Sequence, residues 1–147
     1  MADISEGFEI GVFAFIRNEK NEVLLARDVT RRQQWTLPGG GLAPFELAPD
    51  GACREVYEEL GVLIQVERLA GVFTQRKSAG LVMLFDANIT SGTPRPDGVE
   101  TSECGYFSWD TILEMHESIK PAQFSMIHQR YFQQELDIIF DFFTSPK

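Results

Sequence analysis

The sequence predicts an α+β domain, and three observations support this class. Strand-like and helix-like segments are mixed along the chain without a regular β-α alternation, which argues against a doubly wound sheet. The chain has 147 residues, the length of one ordinary domain. Its 44% hydrophobic and 24% charged residues are typical of globular proteins. We therefore expect residues 1–147 to form a single domain.

The strands are predicted from segments rich in β-branched and aromatic residues. These segments are Phe8–Arg17, Glu22–Ala26, Trp35–Leu37, Val62–Thr74, Leu81–Ala87 and Tyr106–Trp109. The first two flank the polar turn Asn18–Asn21, which predicts a β-hairpin. The run 38–41, Pro-Gly-Gly-Gly, cannot be regular structure and indicates a loop, as does 92–98.

Three segments have helical periodicity: Leu47–Leu60, Trp109–Ser118 and Ala122–Phe143. In the first, Pro49 is allowed in the opening turn and Gly61 is placed to end the helix. Asp110 is a candidate cap for the second. The third carries more apolar residues than one helix face needs, so it predicts either cover for the sheet or a homodimer contact.

The charge balance limits the possible partners. With 13 Lys and Arg against 22 Asp and Glu, the formal net charge is −9, which excludes a protein that holds nucleic acid through its phosphates. The acidic N-terminus is unlike a signal peptide, and no apolar run reaches transmembrane length. Cys53 and Cys104 have no CxxC partner, which favours reduced thiols. We expect a cytoplasmic protein without a membrane partner.

Three of the acidic residues are concentrated on one predicted helix. At about 100° per residue, Glu55, Glu58 and Glu59 share a helical face. Like charges on one face repel each other, and a cluster of carboxylates is the ligand set that Mg²⁺ or Mn²⁺ prefers. Such charge runs are also common on solvated helix faces, so both interpretations are open on this segment alone.

A longer pattern favours the metal site. Gly40 is followed by Glu46, Arg54-Glu55-Val56, Glu58-Glu59 and Gly61-Val62, nine fixed positions within 23 residues. This spacing resembles the signature of the Nudix hydrolase family, which includes the MutT-like enzymes, and it matches at every fixed position. The resemblance implies a Nudix α/β/α sandwich with a mixed sheet flanked by helices. It also implies metal-dependent hydrolysis of a nucleoside diphosphate linked to another moiety.

The resemblance also assigns roles to residues. Glu55, Glu58 and Glu59 would be the ligands of Mg²⁺ or Mn²⁺, with the carbonyl of Gly39 completing the coordination. Arg54 and Glu46 would pair to hold the loop against the helix, while Gly40 and Gly61 would let the backbone turn tightly. The general base would be Glu55 or an acid on a later loop, for which Glu100 and Glu103 are candidates; solvated loop acids are the alternative. Phe45 stands where many relatives have glycine, and we expect it to alter the loop's backbone.

Three residues are candidates for substrate binding. Trp35 could stack on a nucleobase, although packing at a strand end explains it equally well. Arg27 and Arg76 could contact phosphates, with solvent exposure as the alternative. The partner expected from these features is a small nucleotide: a nucleoside triphosphate, an oxidised nucleotide such as oxidised dGTP, or a nucleoside diphosphate sugar such as ADP-ribose. A nucleotide-sensing Nudix-fold binding module without hydrolysis is the alternative function.

Overall fold

The computed structural model describes residues 9–30, 33–75, 78–132 and 137–139. Within these ranges, the elements in chain order are β1 (Glu9–Ile16), β2 (Val23–Asp28), β3 (Trp35–Thr36), β4 (Gly39–Gly41), α1 (Ala48–Leu60), β5 (Leu63–Gln75), β6 (Ser78–Ser91), β7 (Thr101–Phe107), α2 (Trp109–Glu114), a 3₁₀ turn (His116–Ser118), α3 (Pro121–Phe132) and β8 (Asp137–Ile139). Across those residues, no helix is long and apolar enough to cross a membrane.

The strands form two sheets of mixed direction. The larger has the order β4-β1-β6-β5-β8, in which β1 runs parallel to β6 and β5 parallel to β8. The smaller has the order β3-β2-β7 and is antiparallel. The predicted α+β class with a mixed sheet is therefore confirmed.

The helices cover the sheets from opposite sides. Val56 and Leu60 of α1 pack with Ala14 and Ile16 of β1 in one core cluster. Residues of the same strand with the opposite parity, such as Phe15, pack with the α2–α3 segment in another cluster, because successive side chains of a strand point to opposite faces. The result is a three-layer α/β/α arrangement. Cys53 and Cys104 pack half-buried on the α1 side and form no disulfide.

Helix α1 begins and ends close to the predicted residues. Leu47 precedes the first turn without a side-chain cap, and Pro49 occupies that turn. Gly61 ends the helix in the left-handed region at φ 70°, where its N–H donates to the carbonyl of Tyr57. A glycine is favoured there because a side chain would strain this conformation.

The predicted hairpin is wrong. Strands β1 and β2 are joined by the expected tight turn, where Oδ1 of Asn18 accepts from the N–H groups of Lys20 and Glu22. Past an isolated bridge between Arg17 and Val23, the two strands separate into different sheets. The turn residues fixed the reversal of the chain, whereas the pairing was decided by distant segments that the local pattern does not reveal.

The predicted long C-terminal helix is also wrong. Helix α3 ends at Phe132, and Asp137–Ile139 form β8, which pairs in parallel with β5 at Gly71–Phe73. Two adjacent isoleucines suit a strand as well as a helix, so pairing with an existing sheet edge decided their conformation. The rest of the predicted helix, 133–136 and 140–143, lies outside the described residues.

The strand predicted at Tyr106–Trp109 begins earlier than expected. It is β7, from Thr101 to Phe107, so Glu103 lies within a strand and not on the loop before it. Ser108, and not Asp110, caps α2, because its hydroxyl oxygen accepts from the N–H of Thr111.

Candidate functional site

Helix α1 presents its glutamates at different depths. Val56 and Leu60 are fully buried against the sheets, which fixes the rotation of the helix. Glu59, one position before Leu60, is carried inward and is 7% exposed, whereas Glu58 stays at the surface. The three glutamates predicted to share one face therefore differ in exposure: Glu59 is buried, Glu55 is half-buried and Glu58 is exposed.

The expectation of an irregular loop is wrong for Gly39–Gly41, which forms the short strand β4 because it pairs with β1. This strand approaches Glu59. The N–H of Gly39 donates to Oε1 of Glu59 across 3.2 Å. Gly39 has a φ of +151°, and a Cβ there would collide with the carbonyl oxygen of Val12. A glycine is required at this point because the backbone must approach both a strand and the buried carboxylate.

Burial raises the pKa of Glu59 to about 8. The Gly39 hydrogen bond acts in the opposite direction, while the charges of Glu55, Glu100 and Asp97 raise the pKa further. Burial also raises the pKa of Glu55, and Arg54 partly offsets this effect. Such clustered, shifted carboxylates indicate a functional site more often than a structural one.

Arg54 joins the loop to the helix, as predicted. Its Nε donates to Glu46 Oε2 at 2.8 Å, and its Nη2 donates to Glu46 Oε1 and to the Gly41 carbonyl at 3.0 Å. Its Nη1 lies 3.1 Å from Glu55 Oε1 and 3.2 Å from Glu58. The two-point pair with Glu46 gives this arginine a fixed orientation.

Gly40 leaves room for the carboxylate of Glu55. A Cβ at position 40 would lie 2.5 Å from Oε2 of Glu55. The neighbouring Gly41 has open space where a side chain would be. Besides its predicted role in the backbone, Gly40 therefore has a second role: it leaves space for the side chain of Glu55.

The donor set fits a divalent cation in chemistry. Glu55, Glu58 and Glu59 offer the hard oxygen atoms that Mg²⁺ and Mn²⁺ prefer, and the raised pKa of Glu59 indicates a place where added positive charge is stabilising. In the ranges given above, however, no three Asp, Glu, His or Cys side chains are arranged to hold a metal ion. Two of the candidate ligands, Glu55 and Glu58, are engaged by Arg54.

A cavity of about 420 Å³ extends from Glu59 and Gly39, a size suited to a small-molecule ligand. Its walls come from both sheets, from the loop before β7 and from the start of α3. Charged and polar lining residues include Asp28, Glu100, Lys120 and Gln123.

The two predicted loop acids lie in different places. Glu100 lines the cavity, and its charge acts on both Glu55 and Glu59. Glu103 is 56% exposed and pairs with Arg27 at 3.4 Å. The geometry therefore brings Glu100 to the acidic cluster and leaves Glu103 outside it.

Asp97 was not predicted from the sequence. Its Oδ1 accepts hydrogen bonds from the N–H groups of Val99, Glu100 and Thr101, at 2.9 to 3.0 Å. These bonds fix the segment that carries Glu100. The signal in the sequence was an Asp-Gly pair at the end of a proline-containing loop, which is typical of a turn but does not indicate what the turn holds.

The predicted substrate-binding residues do not converge on the cavity. Trp35 is 9% exposed and packs edge-on against Phe107, with 4.9 Å between ring centroids. This is the packing alternative, and it leaves little indole surface for a base. Arg27 donates to the carbonyl of Gln33 and pairs with Glu103. Arg76 lies outside the described residues.

The cavity residues on α3 and β2 were also missed. Lys120 lies just before Pro121 and Gln123 just after it, in a segment whose only evident pattern is its apolar periodicity. Asp28 is the last residue of β2. Single polar residues in such positions carry no distinctive spacing, so no pattern along the chain indicates that they meet at one cavity.

Phe45 occupies the tip of the loop between β4 and α1. Its φ is +63°, in the left-handed region, and its side chain is fully exposed. The aromatic residue thus takes the glycine-like conformation itself. An aromatic residue therefore does adopt this conformation here, and an altered loop backbone relative to glycine-bearing relatives stays a prediction.

Comparison with known proteins decides the family. The model of the NUDIX domain matches residues 7–129. The chain belongs to the Nudix family. Members of this family generally use divalent metal ions, in agreement with the carboxylate cluster on α1. A Nudix hydrolase from Nitrosomonas europaea has the same fold, with a TM-score of 0.76 at 24% identity over 90% of this chain and 77% of that one.

Two curated relatives share the Nudix segment with this chain. A putative 8-oxo-dGTP diphosphatase of Bacillus subtilis (strain 168) is 36% identical over 94 residues, which are 63% of this chain and 61% of the relative. A diphosphoinositol polyphosphate phosphohydrolase 3-alpha of Mus musculus is 44% identical over 75 residues, 49% of this chain and 45% of the relative. The chain thus spans between about half and three fifths of the length of these relatives.

Proposed function

We propose that this Nudix chain hydrolyses the diphosphate linkage of a nucleoside diphosphate joined to another moiety, with Mg²⁺ or Mn²⁺ as cofactor. The observation that carries the proposal is the buried carboxylate of Glu59 at one end of a cavity. The negative charges of Glu55 and Glu100 act on this carboxylate. Buried like charges are costly unless a cation neutralises them, and a diphosphate brings further negative charge to the same place.

In this proposal, Glu55, Glu58 and Glu59 hold the cation together with the carbonyl of Gly39. The bound cation supplies charge neutralisation on the phosphates and a lower pKa for a coordinated water. Arg54 is tied to Glu46 through Nε and Nη2, so its contacts with Glu55 and Glu58 through Nη1 can be released without detaching the loop.

Two carboxylates can take the proton of the attacking water. Glu55 has a raised pKa through burial, and Glu100 lines the cavity; a general base acts best when its pKa is near the working pH. Glu100→Gln tests the role directly, whereas Glu55→Gln would also remove a proposed cation ligand and identifies the base only if its Mn²⁺ affinity is retained. Glu103→Gln is the matched control because Glu103 pairs with Arg27 outside the cavity. We expect a loss of about a hundredfold or more in kcat for the base and near-native turnover for the control.

The experiment that tests the function is a substrate panel. Nucleoside triphosphates, oxidised dGTP, ADP-ribose and, because of the relatives' names, a diphosphoinositol polyphosphate are incubated with Mg²⁺ or Mn²⁺. Release of a nucleoside monophosphate, phosphate or pyrophosphate is expected for one of these classes. Absence of turnover across the panel, or a Glu59→Gln variant as active as the native chain, contradicts the proposal.

A nucleotide-binding module without hydrolysis is the second candidate. It is favoured by the engagement of Glu55 and Glu58 with Arg54 in place of an arrangement ready for a metal among the described residues. Thermal stabilisation by a nucleotide, with no product formed in the presence of metal, identifies this function.

We also propose that residues 1–147 form one domain that works in the cytoplasm, and that two copies associate through the C-terminal segment. Limited proteolysis tests the first statement. Gel filtration with light scattering tests the last, since a strictly monomeric mass removes the homodimer.

A further inference from the structure

Thr101, the first residue of β7, is a buried polar residue in the wall of the cavity. It is 3% exposed and lines the cavity that extends from Glu59. Its N–H donates to Oδ1 of Asp97 at 2.9 Å, and its carbonyl accepts from the N–H of Gly98 at 2.9 Å. In the part of the chain that the structure describes, no group forms a hydrogen bond with its hydroxyl. A buried hydroxyl is normally paired, which indicates that an atom of a bound molecule belongs beside it.

Asp28 lies directly opposite Thr101 in the smaller sheet. The two residues are register partners between β2 and β7, and the side chains of opposed residues share one face of a sheet. Both residues line the cavity. Oδ1 of Asp28 accepts from the N–H and the hydroxyl of Thr30, at 2.8 and 2.9 Å, whereas Oδ2 accepts no hydrogen bond from the residues described. One carboxylate oxygen and one hydroxyl are thus available on the same face.

The chemistry of this pair favours a ligand that carries hydroxyl groups. A carboxylate oxygen accepts hydrogen bonds, and a hydroxyl can both donate and accept them, so two adjacent hydroxyls of a ligand satisfy both protein groups. A phosphate at the same place would be repelled by Asp28, in a cavity that Glu59 and Glu100 also line. Carboxylates bind ribose hydroxyls in this way in dinucleotide-binding sites.

The pair lies next to the proposed cation site. Thr101 follows Glu100, so their Cα atoms are about 3.8 Å apart, and the charge of Glu100 acts on Glu59. In a nucleotide, the ribose is joined directly to the phosphate chain, so a diphosphate beside Glu59 places the ribose within reach of Asp28 and Thr101. Ala26, two residues before Asp28 on the same face of β2, also lines the cavity and leaves room for a ring.

We propose that Asp28 and Thr101 are specificity-determining residues that bind the 2′,3′-diol of a ribose. The inference rests on the proposed function, in that the substrate is a nucleotide, and it narrows the substrate class to ribonucleotides. Oδ2 of Asp28 accepts from one hydroxyl of the diol, and Oγ1 of Thr101 pairs with the other. A 2′-deoxynucleotide has only one of the two hydroxyls, so it leaves a protein group unpaired. The site therefore selects ribonucleotides over 2′-deoxyribonucleotides, because the 2′-hydroxyl distinguishes them.

The test compares nucleotides that differ only at this hydroxyl. ATP and dATP carry the same base and triphosphate, so their ratio of kcat/KM isolates the 2′-hydroxyl, and GTP with dGTP repeats the comparison on a second base. We expect the ribonucleotide to exceed the deoxynucleotide by about tenfold to a hundredfold, the usual effect of a lost hydrogen bond to a charged group. A ratio near one, or a preference for the deoxynucleotide, overturns the inference.

Variants assign the preference to the two side chains. Thr101→Val removes the hydroxyl and keeps the branched shape, so the ratio should fall towards one; a general loss of activity through the neighbouring Glu100 cancels in this ratio. Asp28→Asn replaces a charge-assisted hydrogen bond by a neutral one and should lower the ratio several-fold. Thr90→Val is the matched control, since Thr90 lies on β6 outside the cavity lining and its hydroxyl donates to the carbonyl of Leu63.

An unchanged ratio in a folded Thr101→Val variant contradicts the assignment. Asp28 is only half-buried, so Asp28→Asn decides the question if Thr101→Val does not fold. An equal fall of the ratio in Thr90→Val would show that the effect does not come from the cavity, and it would also overturn the assignment.

A binding measurement separates this inference from the proposed function. Thermal shifts with AMP and dAMP, measured without metal, need no hydrolysis. A larger shift with AMP supports the diol contact even if the chain turns over no nucleotide. Equal shifts, with equal turnover of ATP and dATP, leave the hydrolase intact and assign the hydroxyl of Thr101 to a bound water. Stabilisation by inorganic phosphate that is lost in Thr101→Val assigns the hydroxyl to a phosphate and overturns the inference, as does the absence of both shifts and turnover.

Discussion

The N–H of Gly39 donates to Oε1 of Glu59 across 3.2 Å, so strand β4 is joined to the last turn of helix α1. This bond favours the ionised carboxylate but does not balance the burial and the neighbouring acids, because the pKa of Glu59 still rises to about 8. Without metal, the buried Glu59 carboxyl group is stable in its protonated form. Its ionised form is stabilised by a bound cation.

The stability of the metal-free protein should fall as the pH rises from about 4.5 to about 8. The pKa of Glu59 is higher in the folded chain, about 8, than the usual 4.5, so the folded state binds the proton more tightly. Protonation of Glu59 therefore adds to the free energy of unfolding by a few kcal/mol in order of magnitude. This contribution is complete below the unfolded pKa and is lost as the pH rises through the folded pKa. Urea unfolding in EDTA across this range measures it.

The control for this prediction is Glu59→Gln, which cannot titrate. The difference in unfolding free energy between the native chain and the variant should grow with pH over the same window. A constant difference would mean that Glu59 titrates normally in the folded protein.

Metal binding at neutral pH should release a proton. With a pKa of about 8, Glu59 is mostly protonated at pH 7 in the metal-free protein, and a carboxylate ligand must be ionised. Titration calorimetry with Mn²⁺ in two buffers of different ionisation enthalpy should give about one proton per binding event at pH 7. The release should vanish well above pH 8 and in Glu59→Gln; a proton count of zero at pH 7 would mean that Glu59 is already ionised in the metal-free protein or does not bind the metal, and loss of Mn²⁺ affinity in Glu59→Gln separates the two.

Asp97 should act on catalysis through Glu100. Its Oδ1 accepts from three successive N–H groups, including that of Glu100, so Asp97→Ala should release the segment and lower kcat about tenfold or more. Asp97→Asn keeps an acceptor oxygen and should retain most of the activity. Since both variants remove the charge, their comparison isolates the hydrogen bonds.

A double variant checks this coupling. If Asp97 works by positioning Glu100, Asp97→Ala should cost little in a Glu100→Gln background. An equal loss in both backgrounds would show that the two residues act independently.

Phe45→Gly should make the protein more stable. The residue holds φ +63° with a fully exposed ring, and this conformation costs a side-chain-bearing residue about 1–2 kcal/mol, partly offset by the extra freedom of glycine in the unfolded chain. A net gain of about 0.5–1 kcal/mol in urea unfolding is expected. Phe45→Ala removes the ring but keeps the strain, so its stability should stay near native; an equal gain in both variants would assign the effect to the exposed ring.

Local patterns predicted what local forces determine. Helix α1, its end at Gly61 and the packing of Val56 and Leu60 follow from spacing along the chain. The pair of Arg54 and Glu46 was predicted from the resemblance. In contrast, the separation of β1 from β2 and the strand at Asp137–Ile139 depend on pairing between distant segments, which propensity does not specify.

The candidate site divides in the same way. The glutamates of α1 lie on one helix and were found together, because their positions depend only on helical geometry. Asp28 reaches the cavity from β2, and Lys120 and Gln123 reach it from the start of α3, so their meeting depends on how the sheets and α3 pack. Glu100 and Glu103 looked equivalent until the start of β7 placed them in different surroundings.

The three consecutive glycines at 39–41 differ in how well each position would tolerate a side chain. Position 39 is restricted by its backbone, and position 40 by the volume of the carboxylate of Glu55. Position 41 has no atom within 4 Å of where a side chain would begin, although its carbonyl still accepts from Arg54. A cysteine introduced there would carry a fluorescent reporter two residues from the proposed metal-binding carbonyl of Gly39, which opens a direct optical readout of cation binding.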